Sequence, residues 1–492
     1  MGEDVDAQGF SRADRTRHRA KVKRCLDVFA QMLGRAHFDT DDPMTGMEVE
    51  FNLVDEQGWP TLKNEEALAA IADPAFQTEL GRFNVEINCD PKRLREKGLT
   101  RFEEDLRRSL NAAEARSSEV GAHLLMIGIL PTLNEKDLGA DALSSDSRYR
   151  LLSDQILDAR GEDIEIVIHG PETLRTITDT IMPEAACTST QFHVQTSPDE
   201  FAAHWNASQA IAAVQVALGA NSPYLLGKEL WHETRIPLFE QSTDTRSDEL
   251  KSQGVRPRVW FGERWINSVF DLFEENVRYF PALLPVVDEE DPDQVLAAGG
   301  TPQLRELRLH NGTIYRWNRP IYDIADGVPH LRVENRVLGA GPTVVDTIAN
   351  AAFYFGLVRS LVRQDRPLWS QMSFGAAEEN LHVAARHGIG AEIYWPGTGQ
   401  VQATELALRR LLPLADQGLQ DWGVEAAERD RYLGIIEGRC RTGRNGAEWF
   451  IRRVAQRRGA SEGEGARSEA LRATVMEYSE LMHTNEPVHT WD

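Results

Sequence analysis

Four separate stretches of this chain alternate apolar and polar residues with a period of two, and their polar sides share an unusual composition. In GMEVEFNLVD, Met47, Val49, Phe51 and Leu53 alternate with Glu48, Glu50 and Asn52; in RFNVEINCD, Phe83, Val85 and Ile87 alternate with Asn84, Glu86 and Asn88. In TQFHVQT, Phe192 and Val194 alternate with Gln191, His193 and Gln195; in LRVENRV, Leu331 and Val333 alternate with Arg332, Glu334 and Arg336. Successive side chains of a strand point to opposite faces, so Glu48 and Glu50 share one face about 7 Å apart. A solvated strand face is ordinarily a mixture of Thr, Lys, Ser and Glu, and Glu is a poor strand former. These four faces carry Glu, Asn, Gln, His and Arg, and no lysine.

Crowded carboxylates repel and raise one another's pKa unless a cation sits between them. Oxygen donors with an imidazole suit magnesium or manganese. If the four strands are neighbours, Glu48, Glu50, Glu86, His193 and Glu334 line a trough facing divalent ions, with Arg336 beside it for an anion. That is equipment for phosphoryl transfer, where catalysis is mostly positioning and charge neutralisation. Four half-buried strands whose polar face meets water are the alternative, and spacing alone leaves both open. The chain has no GxxxxGK[ST] loop, no GxGxxG after a strand, no HExxH and no GxSxG, so a nucleotide's phosphates would have to be held by metals and arginines.

The rest of the chain sets this trough in a large α+β domain. At 492 residues it needs no staples to fold. Its net charge of −23 argues against a nucleic-acid binder, and no apolar run is long enough for a membrane span. Four widely spaced cysteines, Cys25, Cys89, Cys187 and Cys440, and the lack of an apolar leader fit a reducing cytoplasm. Helices are expected over 12–34, after the capping-box pattern Thr100/Glu103, after Ser197-Pro198-Asp199-Glu200, and over 344–362, the last apolar on nearly all sides. The basic run Ser11–Arg24 reads as a solvated helix face, 457–470 as a loop, and the tail with His483 and His489 as surface. Three segments follow: an N-terminal helical piece (1–40), a catalytic domain (41–370) and a mainly helical C-terminal region (371–492) packed on the same domain.

In their order, these motifs resemble the glutamate–cysteine ligase family of carboxylate–amine ligases, within the glutamine synthetase and guanidino kinase catalytic-domain superfamily. GMEVEFNLVD resembles the family's opening strand; TELGRFNVEINCDP, CTSTQFHVQTS, ALGANSPYLLGK, HNGTIYRWNRPIYD and HLRVENRVLGAGPTVVD resemble the segments that follow, over about residues 45 to 365. The resemblance implies a glutamine-synthetase-like α+β fold, a mostly antiparallel curved sheet forming a metal-lined trough with helices on its outer face. It also implies two magnesium sites, one from Glu50 and Glu86 with Glu79, the other from Glu48, His193 and Glu334. Arg336, Arg316 and Arg319 would hold ATP phosphates and an acyl phosphate, and Asn88, Gln191 and Asn221 would contact nucleotide or amino acid. Their alternative role is structural hydrogen bonding.

The implied reaction joins a carboxylate, glutamate by family, to an amine, cysteine or another, at the expense of ATP with Mg2+ or Mn2+. A homo-oligomer is compatible with the resemblance. The longer segment 159–174 and YRWNRPIYD depart from smaller family members where the acceptor could be chosen. Rival readings are a different amine acceptor, a phosphotransferase of the guanidino kinase type, a metal-dependent hydrolase, and a non-catalytic binding protein.

Overall fold

A computed structural model describes residues 9–35, 38–40, 42–459 and 463–492. The four alternating stretches are consecutive neighbours in one antiparallel sheet. Its spatial order is Asn318–Ala325, Val328–Gly339, Ser189–Thr196, Thr45–Val54, Asn84–Lys92 and Phe76–Thr78, with His123–Leu125 also paired to Thr45–Val54. The chain is therefore α+β, its sheet curled into an antiparallel half-barrel. Register does the functional placement: Glu50 lies opposite Glu86, Glu48 between Asn88 and Gln191, and His193 opposite Glu334. The pairing shifts between Asn335 and Leu338, and within that irregularity the Arg336 N–H donates to the Trp317 carbonyl at 2.9 Å. Asp326 and Gly327, both at positive φ, close the hairpin between the last two strands as its two-residue turn demands.

The apolar half of the alternation builds the core. Val49, Phe51, Val85, Phe192, Val194, Leu331 and Val333 are all buried. Above them lie the helices Phe201–Gly219 and Val344–Leu361, themselves buried on nearly every side, with Phe192 stacked on Tyr354 at 6.0 Å. Each such side chain contributes roughly 1.5–3 kcal/mol of burial. The second helix starts at a cap in which Thr343 Oγ1 accepts from the Asp346 N–H at 3.1 Å.

Several sequence expectations change in three dimensions. The Thr100/Glu103 capping box does not form: the helix begins earlier, at Gly98, and Thr100 donates its N–H (2.9 Å) and hydroxyl (2.6 Å) to Glu428. Glu103 instead accepts from Tyr432 at 2.7 Å, so a carboxylate from a distant helix replaces the local one. Ser197 does accept from the Glu200 N–H at 3.2 Å, ahead of the helix that starts at Phe201.

The basic N-terminal helix, Arg12–Arg35, is not simply solvated. It buries Val22, Phe29 and Met32, and its cations meet the acidic segment 288–293, with Arg24 3.3 Å from Asp291 and Lys21 donating to the Glu290 carbonyl. The expected 457–470 loop is largely helix, since Gly446–Arg458 and Glu464–Thr484 frame it; residues 460–462 lie outside the described part. The tail is docked rather than trailing. Trp491 is buried, its ring 5.1 Å from Trp449 and 5.4 Å from Tyr478.

Beside a smaller cluster of Trp260, Phe280 and Ile314, one large apolar cluster runs from Val22 to Trp491. Deep within it Arg439 pairs with Asp346 at 2.8 Å, both at most 1% exposed, and Asp346 also accepts from the Val488 N–H at 2.9 Å. Arg439→Met leaves that carboxylate buried without its cation and should cost about 3–5 kcal/mol. A lowered denaturant midpoint would register the loss; an unchanged midpoint would show that the pair does not hold the C-terminal region.

Candidate active site

The polar face of the sheet opens into a cavity of about 610 Å3 lined by Glu48, Glu50, Glu79, Glu86, Asn88, Gln191, Arg319, Glu334 and Arg336. One end is acidic. Carboxylate oxygens of Glu50, Glu79 and Glu86 all lie within 4.8 Å of one another. Glu50 accepts from the Ser189 N–H (2.6 Å), Ser189 Oγ (3.0 Å) and Gln191 Nε2 (3.1 Å). Glu86 accepts from Asn88 Nδ2 at 3.1 Å, and Glu79 enters from the segment after the short Phe76–Thr78 strand.

The other end alternates acids and arginines. Glu334 Oε2 accepts from Arg319 Nε (3.1 Å) and Nη2 (2.8 Å), while its Oε1 accepts from Arg336 Nη1 at 2.6 Å. Arg336 Nη1 also donates to Gln191 Oε1 at 3.0 Å, which links the two ends. His193 Nε2 stands 3.1 Å from Glu48 Oε1.

The electrostatics divide accordingly. Burial, reinforced by repulsion from Glu50 and Glu184, pushes Glu79 up to about 8. Burial and then the charges of Glu48, Glu79 and Glu50 hold Glu86 well above the carboxylate range, and burial raises Glu50 against the pull of Arg336. Burial works to raise Glu48 too, but His193 outweighs it and leaves that carboxyl at about 2. At Glu334 burial is likewise overcome, by Arg319 and then Arg336, and the group stays below its usual range. Three carboxyls that resist charging side by side form a hard-oxygen donor set, which fits a magnesium or manganese ion. The set Glu48, His193 and Glu334 is adjacent by register, but cationic side chains engage two of its members, arginines on Glu334 and Arg332 on His193. His193 Nε2 is nevertheless buried without an aligned hydrogen-bond partner, and it is the nitrogen through which the ring would ligate once it carries no hydrogen.

Three of the expected site residues do not line this cavity: His193 lies beside its wall, 3.1 Å from Glu48 Oε1, and Arg316 and Asn221 are placed elsewhere. Arg316 is fully buried elsewhere, paired with Glu275 at 3.1 Å and 4.8 Å above the Trp260 ring, because its strand position points away from the trough. Asn221 is a structural tie: its Nδ2 donates to the Ala340 carbonyl (2.6 Å) and to Tyr478 Oη (2.8 Å). The 159–174 segment forms part of a hairpin, Ile164–His169 with Thr173–Thr178, and contributes no residue to the lining. By contrast Tyr315, Arg319, Tyr322 and Asp323, from the YRWNRPIYD stretch, do line it.

Sequence reasoning missed Glu184, which lines the cavity and is raised to about 7 by burial and by Glu50. It sits in a one-turn helix, Met182–Ala185, and has no periodic signal. Arg235 was also missed; it reaches the lining from the helix Arg235–Ser242, with Glu233 3.6 Å from its Nη1. Arg332 and Asn84 did carry a signal, their places on the strand faces of Glu334 and Glu86.

The chain is a carbon–nitrogen ligase by its family. Residues 44–472 match the model of Glutamate-cysteine ligase family 2, and the chain belongs to that family. It is thus an ATP-dependent enzyme joining a carboxylate to an amine. No curated protein matches it. Among solved structures, a glutamate–cysteine ligase from Francisella tularensis in complex with AMP shares the fold at 14% identity and TM-score 0.56, covering 92% of this chain and 91% of that one. A bifunctional glutathione synthetase from Pasteurella multocida aligns at 11% identity and TM-score 0.44, over 93% of this chain and 55% of the other.

The acid trio makes a prediction about pH. Glu79 ionises near 4.5 when unfolded and near 8 when folded, so the folded state holds more protons between those values. With a chelator present, this contribution to stability is complete below about 4.5 and declines as pH rises towards 8. Thermal unfolding in EDTA should show Tm falling from pH 5 to 8, and Glu79→Gln should flatten the fall. An identical slope in the variant would separate Glu79 from the effect.

Proposed function

We propose that the chain uses ATP to join the carboxylate of glutamate to an amine, cysteine being the first candidate, through an acyl-phosphate intermediate. The observation that carries this reading is the adjacency, on one sheet face, of the Glu50–Glu79–Glu86 trio to the Arg319–Glu334–Arg336 ladder. Family membership and the AMP bound by the Francisella ligase of the same fold support a nucleotide in this cavity.

In the reaction, a donor carboxylate oxygen attacks the γ-phosphorus of ATP and ADP leaves. The amine lone pair then attacks the acyl carbon, phosphate departs, and the amine gives up a proton. Glu50, Glu79 and Glu86 would hold one divalent ion and Glu48, His193 and Glu334 a second. Such ions supply positive charge to phosphate oxygens. Arg336 and Arg319, fixed on Glu334, add cationic charge in a buried setting where it acts strongly. No nucleophile from the protein enters: all four cysteines are free, and burial pushes the Cys89 thiol up to about 12.

Phosphate release from Mg·ATP, with glutamate present and each of the twenty amino acids as acceptor, tests the reading. Release that needs glutamate plus one acceptor is expected. Release without an acceptor, or a stable phosphorylated product with no free phosphate, would replace the ligase by a hydrolase or a phosphotransferase. Glu48→Ala, Glu50→Ala and Glu334→Ala should each lower turnover at least about 100-fold, and Arg336→Lys comparably because lysine offers a phosphate a point charge in place of a planar fork of donors. Wild-type turnover in any of them would remove that residue from the site.

A further inference from the structure

Arg332 lies on the same strand face as Glu334 and lines the cavity. Its Nε donates to His193 Nδ1 at 3.1 Å, and its Nη1 donates to Asp323 Oδ2 at 3.1 Å and stands 2.8 Å from His330 Nε2. A guanidinium has donors only, so Nδ1 must present its lone pair and the ring hydrogen must sit on Nε2. That hydrogen occupies the nitrogen facing Glu48, 3.1 Å from its Oε1. An imidazole nitrogen carrying hydrogen cannot bind a metal ion. The usual partner of a ligating imidazole is a carboxylate or carbonyl that accepts from the far nitrogen, and here the polarity of that partner is reversed.

We propose that Arg332 is a positioning residue that keeps His193 in the tautomer unable to ligate, so that the Glu48–His193–Glu334 set takes a divalent ion only after an anionic substrate draws the guanidinium away. The proposal rests on the ligase reading and adds an order of assembly to it. Three features make the release feasible. The Arg332 side chain is 25% exposed at the cavity wall. Asp323 keeps a cation when Arg332 leaves, because Arg308 Nη2 also donates to it at 3.0 Å. Glu334, with three arginine hydrogen bonds to its two oxygens, retains a lone pair for an ion. The anion is either a nucleotide polyphosphate or a substrate carboxylate, and separate arms of the test distinguish them.

The test uses the full chain labelled with 15N-histidine, stripped of metal and titrated with Mn2+, reading the coupling of manganese to an imidazole nitrogen by pulsed electron paramagnetic resonance. Wild type alone should hold Mn2+ without imidazole coupling. Adding a non-hydrolysable ATP analogue, or glutamate, should bring the coupling up with whichever anion moves Arg332. R332M should show the coupling with neither anion present, binding Mn2+ at that position about tenfold tighter, and R332M with H193Q should lose it. R332A gives the same readout should R332M not fold. Imidazole coupling in wild type without an anion, no coupling in wild type with either anion, or no coupling in the Arg332 variants would overturn the proposal. Absence of any bound Mn2+ in wild type and variants would overturn the metal reading of the whole trough with it.

Discussion

Gathering acids on one face of one sheet is the constraint on which the rest of the structure depends. Antiparallel pairing brings side chains of facing residues close, so the register that sets Glu50 opposite Glu86 also makes them repel. The sheet persists because its other face is among the most apolar surfaces in the chain, held under two helices buried on nearly all sides. Polar satisfaction supplies the rest: Ser189, Gln191 and Asn88 direct hydrogen bonds at Glu50 and Glu86.

The trough treats equal residue types unequally. Glu334 and Glu48 stay ionised because arginines and a histidine adjoin them, whereas burial pushes Glu50 towards its neutral form, and burial with repulsion from neighbouring carboxylates does the same to Glu79 and Glu86. One face thus holds a fixed anionic ladder matched by arginine and a set of carboxyls whose charge awaits a cation. Gln191 joins the two by donating to Glu50 and accepting from Arg336. Movement of charge at one end can therefore be felt at the other through one amide.

The outer parts of the chain serve this arrangement by packing. The N-terminal helix is tied to an acidic segment, and the C-terminal tail closes on Asp346 at the start of the long buried helix. Both reach the core that lies behind the sheet. The N-terminal helix, the sheet and the C-terminal helices thus draw on the same buried apolar cluster.

Much of this was legible in the chain itself. A period of two is a local property, and it determined that Glu48, Glu50, Glu86, His193 and Glu334 share polar strand faces; motif order determined the family. Strand adjacency was conditional, and only the tertiary structure decided it, because pairing joins residues 36 positions apart at Glu50 and Glu86 and more than a hundred apart at His193 and Glu334. Glu184 and Arg235 could not be read in advance, since each reaches the cavity from a helix whose placement is set by packing. Arg316 and Asn221 matched motifs yet turned elsewhere, one to Glu275 and one to Ala340 and Tyr478, because motif position does not specify which way a side chain points outside the trough sheet. Local periodicity told the chain's chemistry; long-range register and the competition among arginines for each carboxylate decided which atoms meet.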